Sequence, residues 1–130
     1  LVRLPLVGGN AREQASTPDN ELPVPIDIPS SAASNPADLV FSYQDSAVNI
    51  LNNGHTIQVN CDPGSRLTVD GQTYELVQFH FHGPSEHTVG GSPYPMEAHL
   101  VHATPGGDLA VIGVLMEEAG QQNLLLISAA

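Results

Sequence analysis

Apolar and polar side chains alternate along residues 75–82, and this period of two predicts a β-strand. Successive side chains of a strand project to opposite faces. The alternation therefore predicts one face with Val77, Phe79 and Phe81, and a second face with Leu76, Gln78, His80 and His82. In residues 96–102 the same rule places Glu97, His99 and Val101 together and leaves His102 on the opposite face. Each segment thus has one face that carries histidine beside an amide or an acid.

Turn residues separate other strand-like segments along the chain. After an irregular start through Asn35, strands are predicted near residues 40–43, 49–51, 56–60, 66–69, 73–82, 97–103 and 109–116. Hairpin turns are predicted at Asn53-Gly54, Asp70-Gly71 and Gly106-Gly107. Residues 121–128 are predicted to form a short helix. The pattern favours a mainly β fold.

The two histidine-bearing segments are joined by residues that favour turns, Gly83-Pro84-Ser85 and Gly90-Gly91-Ser92-Pro93. The segments can therefore lie antiparallel, which brings His99 beside His80 and His82. Three ligands from the protein, rather than four, leave a position free for water, as in catalytic zinc sites. Three histidines buried on one face without a metal or acidic partners would be costly. The spacing therefore predicts an open zinc site.

A histidine that binds a metal usually donates its other ring N–H to an acceptor, which fixes its tautomer. Gln78 stands two residues before His80, and Glu97 stands two residues before His99, each on the face of its histidine. Both are placed to accept that hydrogen bond. Glu86 lies four residues after His82. Its role is left open by the sequence: it could be a solvated loop carboxylate, a metal ligand or an acid beside the site.

Composition limits the function classes. The 130 residues contain three Arg, no Lys and 14 acidic residues, for a formal charge of −11, which argues against nucleic acid or an anionic membrane as a partner. No apolar run is long enough to span a membrane. Cys61 is the single cysteine, so an internal disulfide is excluded. The length and the 41% hydrophobic content fit one globular domain.

The motifs resemble, in order, those of an alpha-class carbonic anhydrase of the bacterial type. They are Gln78-Phe79-His80-Phe81-His82, Pro84-Ser85-Glu86-His87, Glu97-Ala98-His99-Leu100-Val101-His102 and Leu109-Ala110-Val111-Ile112-Gly113. The similarity runs from about Ile26 to about Met116. It implies a central twisted, mostly antiparallel sheet with few short helices.

The resemblance also implies a role for individual residues. His80, His82 and His99 would bind Zn²⁺, with Gln78 and Glu97 as the partners of the ligands. Spacing alone favours an ordinary exposed turn histidine at His55, but the resemblance implies that it shuttles protons. Glu86 would orient the group that bonds the zinc-bound hydroxide. Val101 and Val111 would line the pocket for carbon dioxide.

The implied function is zinc-dependent, reversible hydration of carbon dioxide to bicarbonate and a proton, by hydroxide held on zinc. A periplasmic or secreted location is expected by resemblance alone. Family members continue with further strands and with a threonine that bonds the hydroxide, and we expect that part to be missing after Ala130. We therefore expect a single, incomplete domain over residues 1–130, with a divergent, irregular segment over 1–25. Weak hydration and a tendency to form homodimers through uncovered apolar strands are expected.

Two alternatives stay open from the sequence. One is a non-catalytic protein of the carbonic anhydrase type that binds zinc or acts as a scaffold. The other is a cupin-type protein, in which His80, His82 and Glu86 would bind iron or manganese. The cupin motif does not explain Gln78 and Glu97, and metal analysis would distinguish the two.

Overall fold

The computed structural model describes residues 25–31 and 39–118. These residues contain ten strands and no helix. The strands are β1 (Asp27–Ile28), β2 (Leu39–Ser42), β3 (Asn49–Asn52), β4 (Ile57–Asn60), β5 (Arg66–Val69), β6 (Gln72–His82), β7 (Thr88–Val89), β8 (Ser92–Pro93), β9 (Met96–Ala103) and β10 (Leu109–Met116). The predicted mainly β fold is confirmed. The helix predicted at residues 121–128 and most of the irregular segment 1–25 lie outside the described residues.

Seven strands form one sheet whose central pair is β6 and β9. Its main path runs β10-β9-β6-β4-β3, and every pairing is antiparallel, as predicted. The eleven-residue β6 is long enough to pair with two shorter strands along one edge, first β5 and then β4, and β2 lies beyond β5. Strands β6 and β9 are therefore covered on both edges.

The hairpin between β5 and β6 shows why the turn residues predicted the topology. Val69 pairs with Gln72, which leaves Asp70 and Gly71 as a two-residue loop. Both have positive φ, 48° and 83°, as a type I′ turn requires. Asp tolerates this conformation and Gly adopts it without steric cost.

A bulge in β6 corrects one prediction about faces. Leu76 pairs with His102 and Gln78 pairs with Val101, so Val77 is an extra residue between them. Strict alternation placed Leu76 on the face of Gln78, but the bulge reverses the faces at this point. Leu76 is accordingly buried opposite His102, and the Val77 side chain is 47% exposed. That prediction was wrong for Leu76 and correct from Gln78 onward.

A small second sheet, in the order β1-β7-β8, fixes the segment between β6 and β9. The Asp27 carboxylate accepts hydrogen bonds from the Thr88 hydroxyl and the Gly91 amide, at 2.7 and 2.8 Å. The buried Ser85 is bonded through its amide to the Tyr94 carbonyl, at 2.9 Å, and its hydroxyl accepts from the Tyr94 amide, at 2.8 Å. Glu86 and His87 therefore lie in a segment that is anchored on both sides.

The buried apolar side chains lie on the central strands and their neighbours. They are Val59, Leu67, Leu76, Ala98, Val101 and Leu115. Other large apolar side chains are exposed, including Val40 at 59% and Val48 at 66%. The described residues contain no helix with the length and apolar character needed to cross a membrane.

Candidate metal centre

The pairing of β6 with β9 brings three histidines together. His80 lies directly opposite His99, and His82 lies directly opposite Glu97. Residues that face each other across an antiparallel pair project to the same side of the sheet. The ring centroids lie 5.0 Å apart for His80 and His82, 5.3 Å for His80 and His99, and 4.7 Å for His82 and His99. One ring nitrogen from each lies within 4.8 Å of the others.

Hydrogen bonds indicate which ring nitrogen each histidine has available. The Gln78 Oε1 atom lies 2.9 Å from His80 Nδ1, and an amide oxygen can only accept, so Nδ1 carries the proton and Nε2 keeps its lone pair. His82 Nε2 is buried and has no hydrogen-bond partner among the described residues. A buried polar atom left without a partner is unusual unless a ligand completes it.

His99 is held on the side away from the other two histidines. Its Nε2 lies 3.0 Å from Glu97 Oε1, although the contact is too poorly aligned to satisfy Nε2 as a hydrogen bond. The short distance between an imidazole and an anionic carboxylate still favours the N–H on Nε2, which leaves Nδ1 as the donor atom. Three imidazole nitrogens within 4.8 Å of one another form a donor set that fits Zn²⁺.

Burial keeps the imidazoles of His80 and His99 neutral. His80 and His99 are 5% and 7% exposed. The pKa of His80 is lowered by desolvation and then by the neighbouring His99 and His82. Desolvation also lowers the pKa of His99, against the opposing effect of Glu97. Neutral imidazole is the form that binds a metal, so both side chains are in the required protonation state at neutral pH.

Glu97 is 1% exposed and makes four polar contacts. Its Oε2 accepts from the backbone amides of Glu86 and His87, both at 2.9 Å. Its Oε1 lies 2.7 Å from His87 Nδ1 and 3.0 Å from His99 Nε2. Burial by itself would raise the pKa of Glu97, but the hydrogen bond from the His87 backbone and the nearby imidazoles outweigh it and lower the pKa. The carboxylate is therefore an anion fixed in position.

Sequence reasoning missed His87 as a partner of Glu97. Its imidazole takes the shortest contact to the carboxylate, and the His87 amide adds a second bond. Alternation could not identify this contact because His87 lies in the segment between the two strands. A second group of possible ligand atoms consists of His87, Glu97 and His99, the three residues of this network, and shares only His99 with the three-histidine cluster. Its atoms already contact one another, at 2.7 and 3.0 Å, so we interpret it as support for His99.

The other predicted site residues surround this cluster. The Glu86 carboxylate lies 3.5 Å from His82 Nδ1 and 3.9 Å from His99 Nδ1, and its side chain is 40% exposed. Val101 on β9 pairs with Val111 on β10, and both lie on the same face of the sheet as His99. They form an apolar surface next to the cluster.

His55 lies on the turn between β3 and β4, and it is exposed. Asn53 Oδ1 accepts from the backbone amides of His55 and Thr56, both at 2.9 Å. The Thr56 hydroxyl in turn bonds to the Phe81 carbonyl, between the two histidines of β6. The His55 turn is thereby connected to the strand that carries the cluster.

The chain is similar to known proteins in both sequence and structure. Residues 12–126 match the family model of eukaryotic-type carbonic anhydrases. A carbonic anhydrase of Nostoc sp. is 53% identical over 85 residues, which are 65% of this chain and 32% of the relative. A carbonic anhydrase of Neisseria gonorrhoeae is 44% identical over 119 residues, which are 88% of this chain and 46% of the relative.

Among solved structures, the alpha-carbonic anhydrase of Photobacterium profundum superimposes with a TM-score of 0.73 at 45% identity. The match covers 82% of this chain and 50% of that structure. The chain thus spans between about a third and a half of the length of these relatives. The family match contradicts the cupin-type alternative. On the residues matched and the fold they share, the chain belongs to the eukaryotic-type, or alpha, carbonic anhydrase family.

Proposed function

We propose that this chain catalyses the reversible hydration of carbon dioxide to bicarbonate and a proton, with Zn²⁺ held by His80, His82 and His99. One observation carries the proposal: three histidine nitrogens converge within 4.8 Å of one another, and one of them, His82 Nε2, is buried without a hydrogen-bond partner among the described residues. Three protein ligands leave zinc a position open to solvent, which suits catalysis rather than a purely structural role.

When bound, zinc acts as a Lewis acid that makes hydroxide available from water near neutral pH, an effect for which carbonic anhydrases are the standard example. The chain's own residues supply the remaining requirements. Gln78 and Glu97 hold the rings of His80 and His99 by their outer nitrogens, at 2.9 and 3.0 Å. Their role is to keep the donor atoms directed at one point.

Val101 and Val111 supply the surface for the substrate. Carbon dioxide has no net dipole and gains little from hydrogen bonds, so an apolar wall binds it without loss of competing interactions. Val101 is 6% exposed and lies two residues after His99 on the same face. This position supports the proposal that carbon dioxide binds beside the ligands.

His55 supplies the exchange of protons with solvent. Hydration releases a proton that must leave the site in every cycle, and an exposed imidazole can carry protons near neutral pH. Glu86, 3.5 Å from His82 Nδ1 and partly exposed, is placed to accept a hydrogen bond from a polar group beside the ligands.

The decisive experiment combines metal analysis with stopped-flow hydration of carbon dioxide on the purified chain. We expect one zinc per chain, and hydration above the buffer rate that is lost with zinc in His99→Ala. His55→Ala provides the matched control, because it removes a histidine outside the cluster and should retain one zinc. A wild-type chain that binds no zinc would contradict the proposal.

One further outcome would distinguish the enzyme from its alternative. Zinc bound at one per chain without hydration would favour the alternative of a non-catalytic, zinc-binding scaffold. The chain spans 46% of its Neisseria relative. Weak turnover therefore stays a prediction, and the measured rate of carbon dioxide hydration tests it. The periplasmic or secreted location and the homodimer also stay predictions, testable by fractionation and by sedimentation.

A further inference from the structure

Gly113 occupies an unexpected position for a glycine. It lies in the interior of β10, within an apolar run, directly opposite His99. Glycine inside a strand weakens it and often marks a point of close approach. The backbone gives no reason for glycine here, because Gly113 is not among the glycines with positive φ. The glycine at this position must therefore be explained by the space that a side chain would need.

That space is occupied by the carboxylate of Glu97. A Cβ atom at position 113 would lie 2.8 Å from Glu97 Oε1, well inside van der Waals contact, and 3.9 Å from His99 Cδ2. Strand β10 thus has no side chain at the point where the Glu97 carboxylate approaches His99. The same oxygen makes the contacts to His87 Nδ1 and His99 Nε2.

The end of a glutamate can normally move aside at little cost, but Glu97 is held in place. Its second oxygen, Oε2, accepts two backbone amides, and the side chain is 1% exposed. A shift away from position 113 would lengthen or break these hydrogen bonds inside the protein, where solvent does not replace them.

We infer that Gly113 is a positioning residue of the metal centre: its missing side chain lets the Glu97 carboxylate reach His99, and through that contact it sets the affinity for zinc. The inference rests on the proposed zinc site. It assigns to β10 a function beyond its part in the apolar wall.

The first test is Gly113→Ala, measured by zinc competition against a chromophoric chelator on folded protein. We expect a dissociation constant about 10- to 100-fold higher, the range that outer hydrogen-bond partners show in zinc proteins, carbonic anhydrases among them. The visible spectrum of the Co²⁺-loaded chain should change as well, because it reports the ligand geometry. Adding Glu97→Asp, which shortens the side chain by one methylene, should recover part of the affinity lost in Gly113→Ala.

A second measurement uses the metal-free chain and can be made on variants of reduced stability. In the metal-free chain, Gly113→Ala should lower the unfolding midpoint when Glu97 is present, and should raise it in a Glu97→Ala background, where the contact is gone. Alanine suits a strand interior better than glycine once space is free. Opposite changes of the unfolding midpoint in the two backgrounds would identify the Glu97 carboxylate as the cause of the destabilisation.

Val114→Ala is the matched control on the same strand. Val114 pairs with Ala98 and projects to the other face, so the substitution should reduce stability without changing the dissociation constant for zinc. Equal zinc affinity and equal Co²⁺ spectra in Gly113→Ala and wild type would overturn this inference alone. Absence of zinc binding in the wild type would overturn the proposed function and this inference with it.

Discussion

The Tyr43 hydroxyl lies 2.6 Å from Nε2 of His102, and the two rings stack with centroids 5.9 Å apart. His102 is fully buried, and its Nδ1 lies 3.2 Å from the Ala110 carbonyl. A carbonyl oxygen only accepts, so Nδ1 carries the proton and Nε2 accepts from Tyr43. Burial raises the pKa of Tyr43 to about 12, which keeps the phenol protonated as the donor. His102 is therefore structural, and it lies on the face predicted for it, opposite to that of His99.

Tyr43→Phe should lower the free energy of unfolding by about 1 kcal/mol, because it leaves the buried Nε2 of His102 without its donor. Zinc stoichiometry should not change, since His102 faces away from the cluster. Urea denaturation measures the loss, and Tyr74→Phe removes a hydroxyl from the β5–β6 hairpin as the control. An equal loss in both variants would contradict this account.

The metal-free chain should lose stability as the pH falls below about 6.5. Desolvation lowers the pKa of His80, His99 and His102 from 6.5 in the folded state, so below that pH the unfolded chain binds protons that the folded chain does not. Stability is therefore complete above 6.5 and declines below it, by about 1 kcal/mol or more between pH 7 and pH 5. Denaturation curves at several pH values provide the measurement, and a flat profile would refute the prediction.

Gln78→Ala should weaken zinc binding by about 10- to 100-fold, the range typical of outer partners in zinc proteins, carbonic anhydrases included. The 2.9 Å contact that fixes the His80 ring would be lost, while the strand pairing stays intact. Chelator competition measures the change. Gln72→Ala, at the exposed start of the same strand, is the control and should bind zinc as the wild type does.

Val111→Phe should reduce carbon dioxide hydration by at least about tenfold while zinc affinity stays within about twofold of the wild-type value. The larger ring would fill the apolar surface that Val111 shares with Val101, and neither residue offers a ligand atom. Stopped-flow hydration and chelator competition separate the two effects. Val111→Ala, which removes bulk, should retain most of the rate, and a parallel loss in both variants would contradict a role in substrate access.

His55→Ala should slow hydration in dilute buffer and recover toward the wild-type rate when imidazole is added. In the proposed function the exposed His55 side chain carries protons out of the site, and a small imidazole in solution can replace it. Rates as a function of buffer concentration provide the measurement. A rate that does not depend on buffer in either protein would show that His55 has no part in proton transfer.

Much of this architecture could be predicted from local sequence. The alternation in β6 and β9 predicted which face carries His80, His82 and His99, because side-chain direction along a strand is set by the backbone alone. The turn residues predicted three hairpins, since a left-handed conformation such as that of Gly71 favours glycine. Gln78 was predictable as a partner of His80 because the two residues lie on one strand, two positions apart.

Other features depended on the tertiary structure. The bulge at Val77 reversed the face of Leu76, because an inserted residue is recognised only from the register of the partner strand. His87 and Gly113 reach Glu97 from a connecting segment and from a third strand, so no spacing along the chain relates them. The sequence by itself determined the seven strands of the main sheet, most of their faces and the types of the metal-binding residues, but not the short strands β1, β7 and β8. Only the packing of β10 and of the segment between β6 and β9 around Glu97 decided how the carboxylate is held, because these contacts join residues that no spacing along a strand relates.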